Sequence, residues 1–283
     1  LLLLGVAAML LLGERLGRRL AMRDFVWLGL VHGVGMLVKS SMALLLPALC
    51  IWLFIPHRRS RTDWTRIAAG TMLAGAVSLA CQAPWIVRNY LVSGHFVPTM
   101  TVGAVAAFQG QYVVANRKSG RQHVRLLDEA ADRQVLLAQQ MGLKARGYFF
   151  QRFTSIDEEL RFHEALSQEV WMRYRKEPFL VAEAIAFNAL AFWVQGQTES
   201  ATRGYALVAL PLLLLAIWGG VVHLRRSEVQ LALLLLAAYV APHLIYMSVA
   251  RYQAPVIAIV ALLAAAVFCR PKARGSLDTA GAS

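Results

Sequence analysis

Three long stretches without a charged side chain limit this sequence more than anything else in it. Residues 67–85, 205–222 and 229–250 contain no Asp, Glu, Lys or Arg. Each is close to the ~20 apolar residues that an α-helix needs to cross a bilayer. Shorter apolar runs at 25–38, 42–55 and 254–268 lie beside them. Over the whole chain 58% of residues are apolar and 16% charged, against about 25% charged in a soluble domain. The expected fold class is an all-α polytopic membrane protein.

The formal net charge of +13 invites a nucleic-acid reading, which its placement excludes. The basic residues stand at the ends of apolar runs: Arg15, Arg18, Arg19 and Arg23; Arg58, Arg59, Arg61 and Arg66; Arg225 and Arg226; Arg270, Lys272 and Arg274. That is the bias of short cytoplasmic loops. Cys50, Cys81 and Cys269 each lie in or beside an apolar run, without a second Cys at metal or redox spacing. They read as small hydrophobes, and neither a disulfide framework nor a metal centre is indicated.

The basic loops set a topology. Residues 13–24 are cytoplasmic, 25–38 lead outward to Lys39, and 42–55 return, so the two short runs form a helical hairpin with Lys39 at the outer face. Residues 67–85 then cross outward. The expected organisation is transmembrane helices over 1–87, the first truncated, and an extracytoplasmic helix-rich domain over 88–178. An interfacial or re-entrant helix and loop follow at 179–203, three transmembrane helices at 204–269, and a disordered cytoplasmic tail at 270–283. Because the chain opens at Leu1 inside an apolar run, it reads as the C-terminal part of a longer protein.

Within 88–178, Val124, Leu127, Ala131, Val135 and Ala138 recur at helical spacing before Gly142, a stop signal. Ser155-Ile156-Asp157-Glu158 has the form of a capping box, and Glu177-Pro178 ends the helix it opens. Asp157, Glu158 and Glu159 are explained by the helix dipole and are not needed as catalytic carboxylates. The segment 179–194 is apolar apart from Glu183 and Asn188. Placing it at the interface, with Trp193 at headgroup depth, keeps Arg225 and Arg226 inside.

Three outward cations remain. Arg88 follows Pro84 and Trp85, where the run at 67–85 meets the outer interface. Arg251 lies in the turn between the last two spans, and Lys39 in the hairpin. Phosphate headgroups lie at this depth, and a guanidinium binds phosphate oxygens through a planar fork. Snorkelling interface side chains would leave the same pattern, so both readings stand at this point. His32 and His243 fall inside spans, where an ionisable side chain is a functional candidate by default. Lacking a second ligand at metal spacing, they read as neutral, hydrogen-bonded histidines.

Pro84-Trp85-Ile86-Val87-Arg88-Asn89-Tyr90, with Gly94 and Phe96-Val97-Pro98, resembles a segment of bacterial GT-C membrane glycosyltransferases, the ArnT-like, protein-mannosyltransferase-related proteins of family 39 type. Gly103 and Gly110 fit the Gly-rich stretch that follows in that family, with Gln111 in place of its Asn. Glu177-Pro178-Phe179, leading to Phe192-Trp193, resembles the family's approach to the membrane. Arg251-Tyr252-Gln253-Ala254-Pro255 resembles its outer turn, with Gln253 in place of an Arg, and Lys39 sits where a basic residue is common.

The resemblance implies a GT-C-like transmembrane bundle that moves a sugar from a polyprenyl-phosphate-linked donor to a lipid, glycan or protein acceptor. The reaction would take place on the extracytoplasmic side of a bacterial inner membrane. It implies donor-phosphate contacts from Arg88, Arg251, Lys39, Tyr90 and Tyr252. It places the catalytic carboxylate in a loop upstream of Leu1, so the chain by itself is expected to be inactive. It decides nothing about a divalent metal, and the partners it implies are lipid and carbohydrate, not nucleic acid. Two other classes share parts of the pattern: an O-antigen ligase or polymerase, and a polytopic transporter or lipid flippase. Transporters concentrate broken helices and ionisable groups at the midplane, whereas this sequence devotes some ninety residues, 88–178, to an outer segment.

Overall fold

The computed structural model describes residues 1–55, 57, 61–98, 103–117, 123–143, 153–196, 198–246 and 249–269. The tail expected at 270–283, and Arg58 and Arg59, lie outside the described residues. Within them the chain is helical, without a β-strand.

Helices α1 (Leu2–Arg18) and α2 (Met22–Val38) form a hairpin. Its short loop is tied by Asp24, a buried carboxylate 3.0 Å from Arg15 and 3.9 Å from both Arg19 and Arg23. A carboxylate taken out of water is stable only when paired, and here the basic loop supplies the partners. At the other end of α2, Lys39 adopts an extended conformation. A 3₁₀ turn, Ser40–Leu44, then starts the return along α3 (Leu45–Leu53). The expected hairpin is present, with Lys39 at its tip.

Helix α4 (Arg61–Ser93) lies parallel to α2. Gly70 faces the Phe25 ring, Gly29 faces Ala74, and Gly33 faces Ser78 and Cys81. A Cβ added at Gly33 would stand 2.8 Å from the Ser78 carbonyl oxygen and 2.7 Å from the Cys81 Cβ. Only residues without a side chain let the two backbones come this close, the small-xxx-small device of membrane helices. Closeness of the backbones also puts His32 Nδ1 2.8 Å from the Ser78 hydroxyl. Gln82 donates to the same hydroxyl (3.2 Å) and to the Ser78 carbonyl (3.1 Å). His32 is thus a hydrogen-bonded histidine between helices, as expected.

The helix does not stop at Pro84 and Trp85. It continues through residues 87 and 88, where the outer segment was expected to begin, and ends at Ser93. Proline removes one backbone donor, which a membrane helix tolerates where neighbours support it. Termination falls to Gly94, whose φ of +71° suits a residue without Cβ and whose N–H returns to the Tyr90 carbonyl at 2.8 Å.

Helices α5 (Gly103–Asn116), α6 (His123–Gln140) and α7 (Ile156–Lys176) form a separate layer. Its core is built on Phe108, Val114, Ala130, Ala138, Phe162 and Leu166. The expected caps are in place. Gly142, φ +73°, follows α6, and the Ser155 hydroxyl accepts from the Glu158 N–H at 3.3 Å. The Glu158 carboxylate accepts from the Thr154 N–H at 2.8 Å, and hydrogen bonds from Thr154 hold it below its usual range. Burial lowers His163 and raises Tyr174.

Helix α8 (Phe179–Val194) bends away from α7 by 111°. Leu180 and Ala184 at its start belong to the core of the layer, whereas Phe192 near its end belongs to the core of the bundle. Its two polar residues are accounted for: Glu183 pairs with Arg117 at 3.2 Å, and Asn188 donates to the Leu244 carbonyl at 3.0 Å. The latter is an end-of-helix acceptor of the kind that a buried helix terminus must satisfy.

The chain closes with α9 (Glu199–Val222), α10 (Ser227–Ile245), a 3₁₀ turn at Ala250–Val256, α11 (Ile257–Ala265) and a last turn at Ala266–Phe268. Gly219 meets the Leu263 carbonyl, so α9 and α11 also touch through backbone. Among the described residues α4, α9 and α10 are long and apolar enough to span a membrane, and α7 with α8 would add a fourth if they form one bent span. Ser40–Leu53 and Tyr252–Phe268 are apolar but shorter. Three spans were expected over 204–269, and two helices there reach that length. Cys50 is buried and Cys81 partly so, but Cys269 is exposed at the end of the last turn, contrary to its reading as a packed hydrophobe.

Candidate functional site

Parallel packing of α2 on α4 places Lys39 and Arg88 at the same end of the bundle, opposite the Arg15–Asp24 loop. They sit in different surroundings there. Lys39 is partly buried. Its Nζ lies 3.3 Å from the Tyr239 hydroxyl, to which it donates, and 4.3 Å from the centroid of the Tyr252 ring. Tyr239 comes from α10 and is fully buried. His243, one turn further along α10, stacks on Tyr252 with centroids 4.9 Å apart and planes 24° apart. Phe192 of α8 closes the group, 5.3 Å from His243 and 6.5 Å from Tyr239. Four elements therefore meet at one ammonium: the α2 tip, α10, the Ala250–Val256 turn and α8.

The turn is held from outside the corner. The Ala250 N–H donates to the Gln195 carbonyl at 2.8 Å, and the Gln253 amide to the Trp193 carbonyl at 3.4 Å. The end of α8 thus anchors the segment that presents Tyr252. An ammonium over aromatic faces is held by the negative face of each ring, which fixes its position in the corner.

Arg88 is exposed. Its guanidinium lies 5.3 Å from the Trp85 ring centroid, and it donates to Asn89 at 3.2 Å. With Leu37, Cys81, Pro84 and Trp85 it lines a groove of about 390 Å³ that opens at the side of the bundle, two residues before Lys39 on α2. Tyr90 is also exposed and stands outside the Lys39 corner. Asn89 ties the chain after α4 by donating to the Val97 carbonyl at 2.9 Å. His95 then reaches Asp157, 2.6 Å away, at the start of α7. Arg251 lies on the Ala250–Val256 turn, one residue before Tyr252. The phosphate-facing role expected of its side chain falls outside the described residues.

Of the residues singled out in the sequence, the structure thus brings together Lys39, Tyr252 and His243, and leaves Arg88 at a neighbouring groove and Tyr90 exposed beyond it. Tyr239 and Phe192 complete the corner. Gln111 is buried in α5 and donates to the Val170 carbonyl at 2.8 Å, tying α5 to α7. Among the described residues no three His, Cys, Asp or Glu side chains are grouped as a metal site would require.

Comparison with known proteins adds one finding. Neither a curated protein nor a solved structure matches the chain. Residues 1–87, which span α1 to most of α4 and include Lys39, match the family model of dolichyl-phosphate-mannose-protein mannosyltransferases. That match, over under a third of the 283 residues, supports a membrane glycosyltransferase of the GT-C type.

Proposed function

We propose that the chain is part of an enzyme that moves a glycosyl unit from a polyprenyl-phosphate-linked donor to a lipid, glycan or protein acceptor. On this reading the Lys39 corner faces the donor phosphate at the extracytoplasmic side of the membrane, and residues 88–178 form a domain on that side. The observation that carries it is the meeting of Lys39, inside the family-matched segment, with Tyr252, on a distant turn that resembles the same enzymes.

In the reaction an acceptor oxygen or nitrogen forms a bond to the anomeric carbon as the bond from that carbon to the phosphate oxygen breaks. The bonding pair leaves with the lipid phosphate, and the acceptor's proton passes to a base. Charge grows on the departing phosphate, so fixed cations there lower the barrier. Lys39 supplies such a cation, and Arg88 and Arg251 are the further candidates at that end. Tyr239 and Tyr252 fix the ammonium, so little reorganisation is needed when charge develops. The base that would take the proton is not assigned to a residue of this chain.

The test is sugar release from a polyprenyl-phosphate donor by membranes containing the whole protein. Lys39→Met and Arg251→Ala should each lower turnover by about 100-fold, the usual cost of one charge-stabilising group. Unchanged turnover in both would remove the phosphate assignment.

A further inference from the structure

A second cavity lies at the same end of the molecule, beside the end of α8. It measures about 690 Å³ and is bounded by the starts of α6 and α9 and by the residues that follow α8. That volume falls in the range of sites that hold small organic ligands, about 300–1,000 Å³. We infer that this cavity is a binding site for an uncharged carbohydrate unit; on the glycosyltransferase reading above, on which this assignment rests, the unit is the glycan of the acceptor.

Charge argues first. Among the described residues the formal charges lining the cavity are Glu199 and Arg203, 3.7 Å apart. Burial pushes His123 down to about 4, so its ring is neutral at physiological pH. Among the described lining residues there is no net charge to favour a phosphate or a carboxylate, unlike the Lys39 corner.

The supply of hydrogen bonds argues second. The Thr198 hydroxyl caps α9 by accepting from the Ala201 N–H at 3.2 Å and lies 3.1 Å from the Ser200 hydroxyl, which leaves Ser200 the more adaptable group towards a ligand. Glu199 adds acceptor oxygens and Arg203 adds donors. Nε2 of His123 is buried without a partner, which leaves Nδ1 as the hydrogen-bonding atom of that ring. Paired donors and acceptors around a neutral space suit vicinal hydroxyls, each of which both gives and takes a hydrogen bond. Thr202 is committed to the frame: it accepts from the Gly196 N–H at 3.0 Å and donates to the Thr198 carbonyl at 2.9 Å.

Position argues third. Gln195 lines this cavity, and its carbonyl holds Ala250, two residues before Tyr252. One short segment therefore borders both the carbohydrate cavity and the turn of the Lys39 corner.

The test uses the full protein in lipid nanodiscs, with Cys81 and Cys269 replaced by Ala and Val124→Cys introduced at the rim, where Val124 is exposed and offers the ligand no hydrogen bond. Maleimide labelling of that cysteine is followed with the methyl glycosides of mannose, glucose and galactose, and separately with inorganic phosphate at matched ionic strength. Slower labelling with at least one glycoside, and none with phosphate, is expected. Glu199→Gln and His123→Phe should each raise the glycoside concentration giving half-protection by about 10-fold, the effect of one lost hydrogen bond to a charged or buried group. Two variants are used so that a misfolded one does not decide the result. No protection by any glycoside, protection by phosphate alone, or protection indifferent to both variants overturns the inference. Donor turnover is measured on the same preparations: lost protection with turnover intact removes the cavity assignment alone, while protection without any turnover removes the glycosyltransferase reading and leaves a carbohydrate-binding cavity.

Discussion

The Lys39 corner and the stretch from Trp85 to Val97 lie at the same end of the molecule and are built in opposite ways. In the stretch every described contact but one is local: Arg88 to Trp85 and Asn89, Asn89 to Val97, Ser93 to His95, and Gly94 to Tyr90. The exception is His95 with Asp157. In the corner the partners of Lys39 are Tyr239 and Tyr252, some two hundred residues away. Local contacts leave a legible motif in the sequence yet keep Arg88 exposed. Distant contacts leave their parts in separate stretches, Lys39 in one and the turn at Tyr252 in another, yet they enclose a cation. A conspicuous stretch of sequence is therefore not by itself the better-built half of a site.

Several measurements would break or sharpen that contrast. Gly33→Leu attacks the frame common to both regions, because the new side chain would have to displace the Ser78 backbone. Overpacking of this kind should cost about 3 kcal/mol, seen as a large fall in melting temperature in detergent; a variant of wild-type stability would show that α2 and α4 are not in close contact. Asn188→Ala should cost about 1 kcal/mol by removing the hydrogen bond to the half-buried Leu244 carbonyl. The same melt reads it, and turnover should fall as the Tyr252 turn loosens. Lys39→Met should lower stability by only about 1 kcal/mol, the worth of a partly desolvated cation over an aromatic ring, while activity falls far more. Arg88→Met should leave stability unchanged, and equal losses of activity from the two substitutions would erase the contrast between corner and stretch. The smallest effect is on pH. Folding holds His123 at about 4, below the 6.5 of an exposed histidine. The unfolded chain therefore takes up a proton first as the medium is acidified. The stabilisation is complete above about pH 6.5 and is lost on descending towards 4. Comparing His123→Gln with the parent chain, the variant should melt with a flatter pH profile over that window.

Much of the fold was legible. Apolar runs located the bundle, Gly142 and Ser155 marked helix ends, and Lys39 was placed at a hairpin tip, because each depends on neighbours within a few residues. Proline at position 84 misled for the same reason. It is a local breaker, but its effect depends on support from packed neighbours that sequence does not display. Lys39, Tyr252, His243 and Phe192 were each named separately, but their meeting was not legible because they lie far apart in the chain, and Tyr239 escaped as an unremarkable member of an apolar helix until the fold sets it beside the ammonium. Gly29 and Gly33 carried a usable signal, a four-residue spacing of small residues, which a reading based on hydropathy and charge passes over.

Helix α8 has one foot in each core and a sharp bend at its start. Its far end carries the carbonyls of Trp193 and Gln195, which grip the Ala250–Val256 turn. One helix therefore ties the placing of Tyr252 beside Lys39 to the packing of the α5–α7 layer.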